Sequence, residues 1–276
     1  MTSAPIGVFD SGYGGLTILS SIRERLPQYD YLYLGDNARA PYGGRSFDVI
    51  YEFTLEAVKF LFKQGCPLVI IACNTASAKA LRTIQQKDLP ILELNNRVLG
   101  VIRPSTEEIG ALTKTKEVGV LATQGTVSSE SYVIELSKFY PEILVHQHAC
   151  PMWVPLIENH YYDKPAGKMI IEEDVNHLLT AHPNIDTIVL ACTHYPILQP
   201  FIQQLVGEKI RVVAQGPIVA DKLDLYLVQH PEMETRLTKN GTCKYFSSEN
   251  KHVFAQKAAH FLGEEISANT VDLSRF

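Results

Sequence analysis

The sequence lacks most of what would tie it to a large charged partner. Lys and Arg form no block anywhere, and 25 of them stand against 30 Asp and Glu in 276 residues, a net charge of −5. Nucleic acids and anionic membranes both select clustered cations, so neither is expected as the principal partner. A small molecule is. No apolar run nears the ~18 residues of a membrane span. The opening Met1-Thr2-Ser3-Ala4-Pro5 has neither the basic stretch nor the apolar core of a secretory signal, so the cytoplasm is the expected location. There is no C-x-x-C pair and no Cys/His group at zinc spacing, and no metal is expected. The phosphate loop G-x-x-x-x-G-K-[ST] is missing. The near-match to G-x-G-x-x-G that opens at Gly12 has Thr17 where the third glycine belongs.

What is present is an ordinary globular composition, 46% hydrophobic and 20% charged. At roughly 150 residues per domain the length predicts one or two domains. Short apolar runs alternate with amphipathic ones. Ile6–Phe9, Tyr31–Leu34, Leu68–Ala72 and Ile91–Leu94 read as strands. Leu16–Leu26 reads as a helix, and so does a segment from the cap Ser46 to Gly65, with Asn74 as a cap for the next. After Asn95–Pro104 the alternation restarts. Strands are predicted over Glu117–Ala122, Ile143–Gln147 and Thr187–Ala191, with helices over Val127–Lys138 and Ala166–Ala181. A strand at Val212-Val213, a helix over Ile218–Val228, a strand at Lys244–Phe246 and a helix over Asn250–Leu262 follow, and the tail from Gly263 has no clear period. This is the pattern of an α/β protein with mostly parallel strands, and two open sheets fit it better than one.

The chain also resembles itself. Leu68-Val69-Ile70-Ile71-Ala72-Cys73-Asn74-Thr75 matches Thr187-Ile188-Val189-Leu190-Ala191-Cys192-Thr193-His194, an offset of 192 − 73 = 119. Ile6–Asp10 matches Val118–Ala122 at 118 − 6 = 112. Two related halves are therefore expected, each with a strand ending in Ala-Cys followed by polar residues.

Ligands of open parallel sheets sit at the carboxyl ends of strands, where Cys73 and Cys192 fall. Amide N–H groups at a helix head favour a thiolate there. Of the other thiols, Cys66 and Cys150 read as packing and Cys243 as a bystander, since free Cys is commonly a small buried hydrophobe. Two thiols flanking one cleft suit stereoinversion at an acidic carbon, one removing a proton from one face and the other supplying a proton to the opposite face, with no cofactor. Redox cycling, or one nucleophile with an idle second Cys, are the other uses of such a pair. Asp10-Ser11-Gly12-Tyr13-Gly14-Gly15 reads either as a plain strand–helix turn or as a turn that offers N–H groups to a carboxylate. In the latter reading Asp10 is available to an ammonium or a thiol. Pro41–Arg45 lies in a loop able to close over a ligand, His194 can relay the Cys192 proton, and Glu158 reads as a solvent-facing carboxylate.

Taken together, Phe9-Asp10-Ser11-Gly12, Leu34-Gly35-Asp36, Ala40-Pro41-Tyr42-Gly43, Ala72–Ser77, Leu121-Ala122-Thr123 with Thr126-Val127, Cys150-Pro151 and Cys192-Thr193-His194-Tyr195-Pro196 resemble the glutamate racemases of the cofactor-independent aspartate/glutamate racemase superfamily. The likeness spans nearly the whole chain. It implies a cofactor-free two-base exchange of L- and D-glutamate that supplies D-glutamate for peptidoglycan, with Cys73 taking the proton of D-glutamate and Cys192 that of L-glutamate. Asp10 would support Cys73, and His194 and Glu158 would support Cys192. Ser11, Tyr42, Gly43, Asn74, Thr75, Thr126 and Thr193, with Asp10 and His194, would hold the substrate. The resemblance further implies a cytoplasmic homodimer of two α/β domains, residues 1–97 plus 212–276 and residues 98–211, with the active site in the cleft between them. Two departures from the family pattern are the polar crossover Asn95–Thr106 and Ala191 where Gly is commoner. An aspartate racemase, a cofactor-free decarboxylase or isomerase on the same scaffold, and a binding protein without turnover are the competing readings.

Overall fold

Strands that are apolar along their whole length need cover on both faces, and parallel sheets layered with helices provide it. In the computed structural model, which describes residues 4–92 and 95–276, two such sheets form. The first half runs β1 (Ile6–Asp10), α1 (Gly15–Arg25), β2 (Tyr31–Gly35), α2 (Phe47–Lys63), β3 (Leu68–Ile71), α3 (Asn74–Lys79), two short helical turns α4 (Leu81–Thr83) and α5 (Leu89–Leu92), and β4 (Arg97–Gly100). The second runs α6 (Ile102–Leu112), β5 (Glu117–Ala122), α7 (Gln124–Ser128), α8 (Ser131–Phe139), β6 (Leu144–Ala149), α9 (Trp153–Glu158), α10 (Pro165–Ala181), β7 (Thr187–Ala191), α11 (Gln199–Val206) and β8 (Arg211–Ala214). The chain then returns through α12 (Gln215–Gln229), α13 (Pro231–Glu234), β9 (Cys243–Ser247), α14 (Lys251–Leu262) and β10 (Ala268–Thr270).

The strand orders are β10-β9-β2-β1-β3-β4 and β6-β5-β7-β8, with every neighbouring pair parallel. The core β2-β1-β3-β4 therefore has the order of β6-β5-β7-β8. The two halves expected from the repeated Ala-Cys strands are there, with β9 and β10 added on one edge of the first sheet. Helix α12 brings the chain back by packing Val219, Ala220, Leu223 and Leu227 into the same core as Leu16, Leu19 and Ile22 of α1.

Several local expectations need correction. Ile91 and Leu92 lie in α5 rather than a strand, and the rest of that predicted strand, residues 93 and 94, lies outside the described residues. The edge strand is instead β4, paired Leu68↔Arg97 to Ile71↔Gly100, inside the segment read as a connector. The helix predicted over Val127–Lys138 is two, because Glu130 adopts a left-handed φ of 53° between them. Asn74 is not the cap of α3. Cys73 is, its Sγ accepting the Ala76 N–H. The tail contains β10 and a closing 3₁₀ turn, Leu273–Arg275. Among the described residues no helix is long and apolar enough to cross a membrane.

Candidate active site

Parallel register aligns the strand tips. Asp10 ends β1 and Cys73 follows β3, while Thr123 follows β5 and Cys192 follows β7. Residues from both sets line one cavity of about 250 Å³: Ser11, Cys73, Asn74 and Thr75 from the first half, Thr123, Gln124, Glu158, Cys192, Thr193 and His194 from the second, and the loop Ala40–Gly44. Thr123 caps α7 by accepting the Thr126 N–H at 3.3 Å, and the 2.9 Å bond between its hydroxyl and that of Thr75 stitches the two tips together. Gly14 permits the approach on the other side. A Cβ there would lie 2.4 Å from His194 Nδ1 and 2.4 Å from Thr193 Oγ1, so the glycine-rich turn is explained by close packing.

Cys73 is 5% exposed. Its Sγ lies 3.3 Å from Ser11 Oγ and accepts the Ala76 N–H at 3.4 Å. Burial and then the neighbouring Asp10 carboxylate push its thiol up to about 12, while the Ser11 and Ala76 hydrogen bonds pull the other way. Asp10 is fully buried behind Ser11. Its Oδ2 accepts the Gly12 N–H at 2.9 Å and its Oδ1 the Thr193 hydroxyl at 3.2 Å. Burial raises the Asp10 carboxyl against these bonds and the opposing charge of His194.

Cys192 stands beside His194, Sγ to Nδ1 4.0 Å, and His194 Nε2 meets Glu158 Oε1 at 2.9 Å. Burial alone would lower the imidazole, but the hydrogen bonds to Cys192 and Glu158 outweigh it and hold His194 at about 10. Protonated, both ring nitrogens donate, one toward each partner. The aromatic packing of α9 sets this geometry. Trp153 is fully buried 4.8 Å from the Tyr195 ring, and the Tyr195 hydroxyl donates to the Cys150 carbonyl at 3.0 Å. Glu158 at the end of α9 is thereby aimed at His194 instead of at solvent.

Of the residues expected at the site, Ser11, Tyr42, Gly43, Cys73, Asn74, Thr75, Glu158, Cys192, Thr193 and His194 line the cavity, whereas Asp10 and Thr126 are buried behind its wall. The Tyr42 hydroxyl is engaged by Asp36 Oδ2, so this residue offers the cavity its ring. Sequence reading assigned no role to Thr123 or Gln124, although Thr123 follows β5 as Cys192 follows β7. Cys150, read as packing, also reaches the cavity wall. Beside it, donor atoms of His148, Cys150 and Asp174 lie within 4.8 Å of one another. Asp174 is already engaged, by His148 Nε2 at 2.8 Å and by the Trp153 Nε1–H at 2.7 Å, and it ties β6 and α9 to α10. Among the described residues, those lining the cavity include no Lys or Arg. An anion held here meets hydroxyls, amides and the His194 imidazole.

A model of the Asp/Glu/Hydantoin racemase family matches residues 16–223. A glutamate racemase of Geobacter metallireducens is 36% identical over 261 residues, 95% of this chain and 93% of that protein. The crystal structure of a glutamate racemase isoform of Bacillus anthracis superposes with a TM-score of 0.86 at 34% identity, covering 99% of each chain. That of a Francisella tularensis glutamate racemase in complex with D-glutamate does so at 0.85 and 31%, covering 100% of each. With the same two-sheet fold, and with relatives above 30% identity over nearly the full length, the chain belongs to the Asp/Glu/Hydantoin racemase family.

Proposed function

We propose that this protein is an isomerase that interconverts L- and D-glutamate by a 1,1-proton transfer between two thiols. The observation that carries the reading is that the equivalent strands β3 and β7 bring Cys73 and Cys192 to a single cavity. The relatives named above are glutamate racemases, which sets the substrate. One thiolate takes the α-proton, breaking the Cα–H bond, and the opposite thiol gives its proton to the other face. Atoms and charge balance without an outside reagent. Cys73 serves D-glutamate with Asp10 in support, and Cys192 serves L-glutamate with His194 and Glu158. Ser11, Gly43, Asn74, Thr75 and Thr193 hold the substrate, the Tyr42 ring packs beside it, and Thr126 acts from behind the wall through the Thr75 and Thr123 hydroxyls. Fixed neutral dipoles suit its carboxylates and the charge that develops as the proton leaves, because they need no reorganisation.

The two sheets act as two domains, in outline residues 1–97 plus 212–276 and residues 98–211; the pairing of β4 in the first sheet and of β8 in the second supports crossings near these bounds, after Gly100 and after Ala214. A cytoplasmic homodimer that supplies D-glutamate for peptidoglycan completes the reading. The test is purified protein with L-glutamate in D2O and no added cofactor. D-glutamate carrying α-deuterium is expected. No exchange with glutamate, or turnover of aspartate in its place, overturns the assignment.

A further inference from the structure

Behind the cavity wall lies a closed ring of hydrogen bonds that reaches both crossings between the sheets. The Asn74 Nδ2–H donates to Gln215 Oε1 at 2.7 Å, Gln215 Nε2–H donates to Tyr132 Oη at 2.7 Å, and the Tyr132 hydroxyl donates to Asn74 Oδ1 at 2.8 Å. None of the three is more than 2% exposed. Asn74 begins α3, next to Cys73. Tyr132 belongs to α8 in the second half, and Gln215 is the first residue of α12, where the chain returns to the first half.

Such a ring can run in two senses, because both carboxamides can flip and a hydroxyl can turn. One backbone group decides. The second hydrogen of Gln215 Nε2 is shared between Ser105 Oγ at 2.8 Å and the Val101 carbonyl at 3.3 Å, and the Ser105 hydroxyl itself donates to Val101 O at 2.7 Å. Val101 O is only an acceptor, so a flipped Gln215 would set oxygen against oxygen. The Gln215 amide nitrogen must therefore face Val101 and Tyr132, the Tyr132 hydroxyl must point at Asn74 Oδ1, and the Asn74 amide nitrogen must face Gln215. An amide nitrogen has two hydrogens. The ring uses one of them and the Asn74 oxygen, and Asn74 lines the cavity.

We propose that Gln215 is a positioning residue that acts through Asn74. With Tyr132 it locks the Asn74 carboxamide so that its remaining N–H, and not its oxygen, serves the substrate carboxylate. It also ties that lock to the crossing at Val101 and to its own crossing at the head of α12. Asn74 is then a correctly oriented donor only while both crossings hold their present arrangement. This rests on the proposed glutamate site.

The test is steady-state kinetics of Gln215→Met and Tyr132→Phe, each of which opens the ring at a different bond, alongside thermal melts. Loss of a fixed donor to a charged group predicts a KM for either enantiomer raised roughly 10- to 100-fold in both variants. In an Asn74→Ala background, Gln215→Met should add less than about twofold, because its route to the substrate is already gone. A purely structural role would lower the active fraction and the melting temperature while leaving KM alone. The inference is overturned by wild-type KM in both variants, or by a KM effect of Gln215→Met that persists undiminished in Asn74→Ala. Should Gln215→Met fail to fold, Tyr132→Phe with and without Asn74→Ala answers the same question. A wild-type protein that does not racemise glutamate overturns the proposed function, whereas wild-type turnover with unresponsive variants overturns only the lock.

Discussion

In the first half, the order β2-β1-β3-β4 leads out of β3 to Cys73; in the second, β6-β5-β7-β8 leads out of β7 to Cys192. The scaffolds match, but the company of the two thiols does not. Cys73 caps a helix, touches a hydroxyl and has the Asp10 carboxylate close by, and its proton is held up to about 12. Cys192 has at its side an imidazole that Glu158 and Cys192 itself keep protonated to about 10. Strand order fixes where each sulfur stands, and the loops after the strands fix the charge it meets. One side of the cavity is set around an anion and the other around a cation. Under the proposed mechanism the two thiols exchange roles as the direction reverses, yet their surroundings at rest are unequal.

The largest effect comes from removing either thiol. Cys73→Ala and Cys192→Ala are each expected to lower racemisation by at least ~10³-fold, measured by chiral chromatography. The half-reactions sharpen the comparison. In D2O, Cys73→Ala should still wash the α-proton out of L-glutamate without inversion, and Cys192→Ala should do so with D-glutamate. The first exchange should be the faster, since the sulfur left behind is the one beside a cation. Near-normal racemisation by either variant ends the two-thiol mechanism.

Neutralising Glu158 or Asp10 should lower a titration on its own side of the cavity, that of His194 in one case and that of Cys73 in the other. Glu158→Gln removes a partner that raises His194, so the alkaline limb of activity should shift below about pH 10, with kcat down roughly 10- to 100-fold. Asp10→Asn removes a charge that raises Cys73. The Cys73 thiol should come down, and its alkylation at pH 9, followed by peptide mass spectrometry, should speed up. If Asp10→Asn slows alkylation of Cys73, the charge assignment on that side is wrong.

A smaller effect is expected in stability. The folded-state value of His194 lies above its ordinary 6.5, so proton uptake favours the folded state. That contribution is complete below about pH 6.5 and disappears as pH rises through about 10. The melting-temperature gap between wild type and His194→Asn should therefore be wider at pH 6 than at pH 10.5, by roughly 2 to 4 °C. A gap that widens with pH contradicts a protonated His194.

Much of this comparison is legible in the sequence, for a physical reason. Strands buried on both faces read as apolar runs, as in Ile6–Phe9 and Ile188–Ala191, and the repeated Ala-Cys at the tips of β3 and β7 marks the halves. The edge is harder to read. Ile91-Leu92 is as apolar as a strand, yet it forms a helical turn, while Arg97–Gly100 starts with an exposed arginine and is a strand only because β3 offers it a free edge. The cysteines, Asn74 and the threonines were visible because they sit at strand tips. Gln215 was not, since it reads as an ordinary helix start and its partners lie 83 to 141 residues away. Likewise Glu158 looks solvent-facing until Trp153 and Tyr195 pack and turn it inward.

The smallest expected effect separates reactivity from acidity. Cys66 is fully buried, and burial alone pushes its thiol up to about 12, the same level as Cys73. It packs in the core against Leu61 and Gly7, away from the cavity, and has neither Ser11 nor a helix N–H at its sulfur. If the raised thiol were what made Cys73 useful, Cys66 would be equally suited. Placement is the difference: Cys73 stands where a strand tip, a helix head and the cavity coincide. Cys66→Ala should accordingly keep kcat/KM within about twofold while lowering stability by about 1 kcal/mol through the small void it leaves. Activity read against the fraction folded in a urea titration checks both halves of that statement. A loss of turnover without a matching loss of stability would mean that the first half carries a second working thiol, and that the division of labour between Cys73 and Cys192 is incomplete.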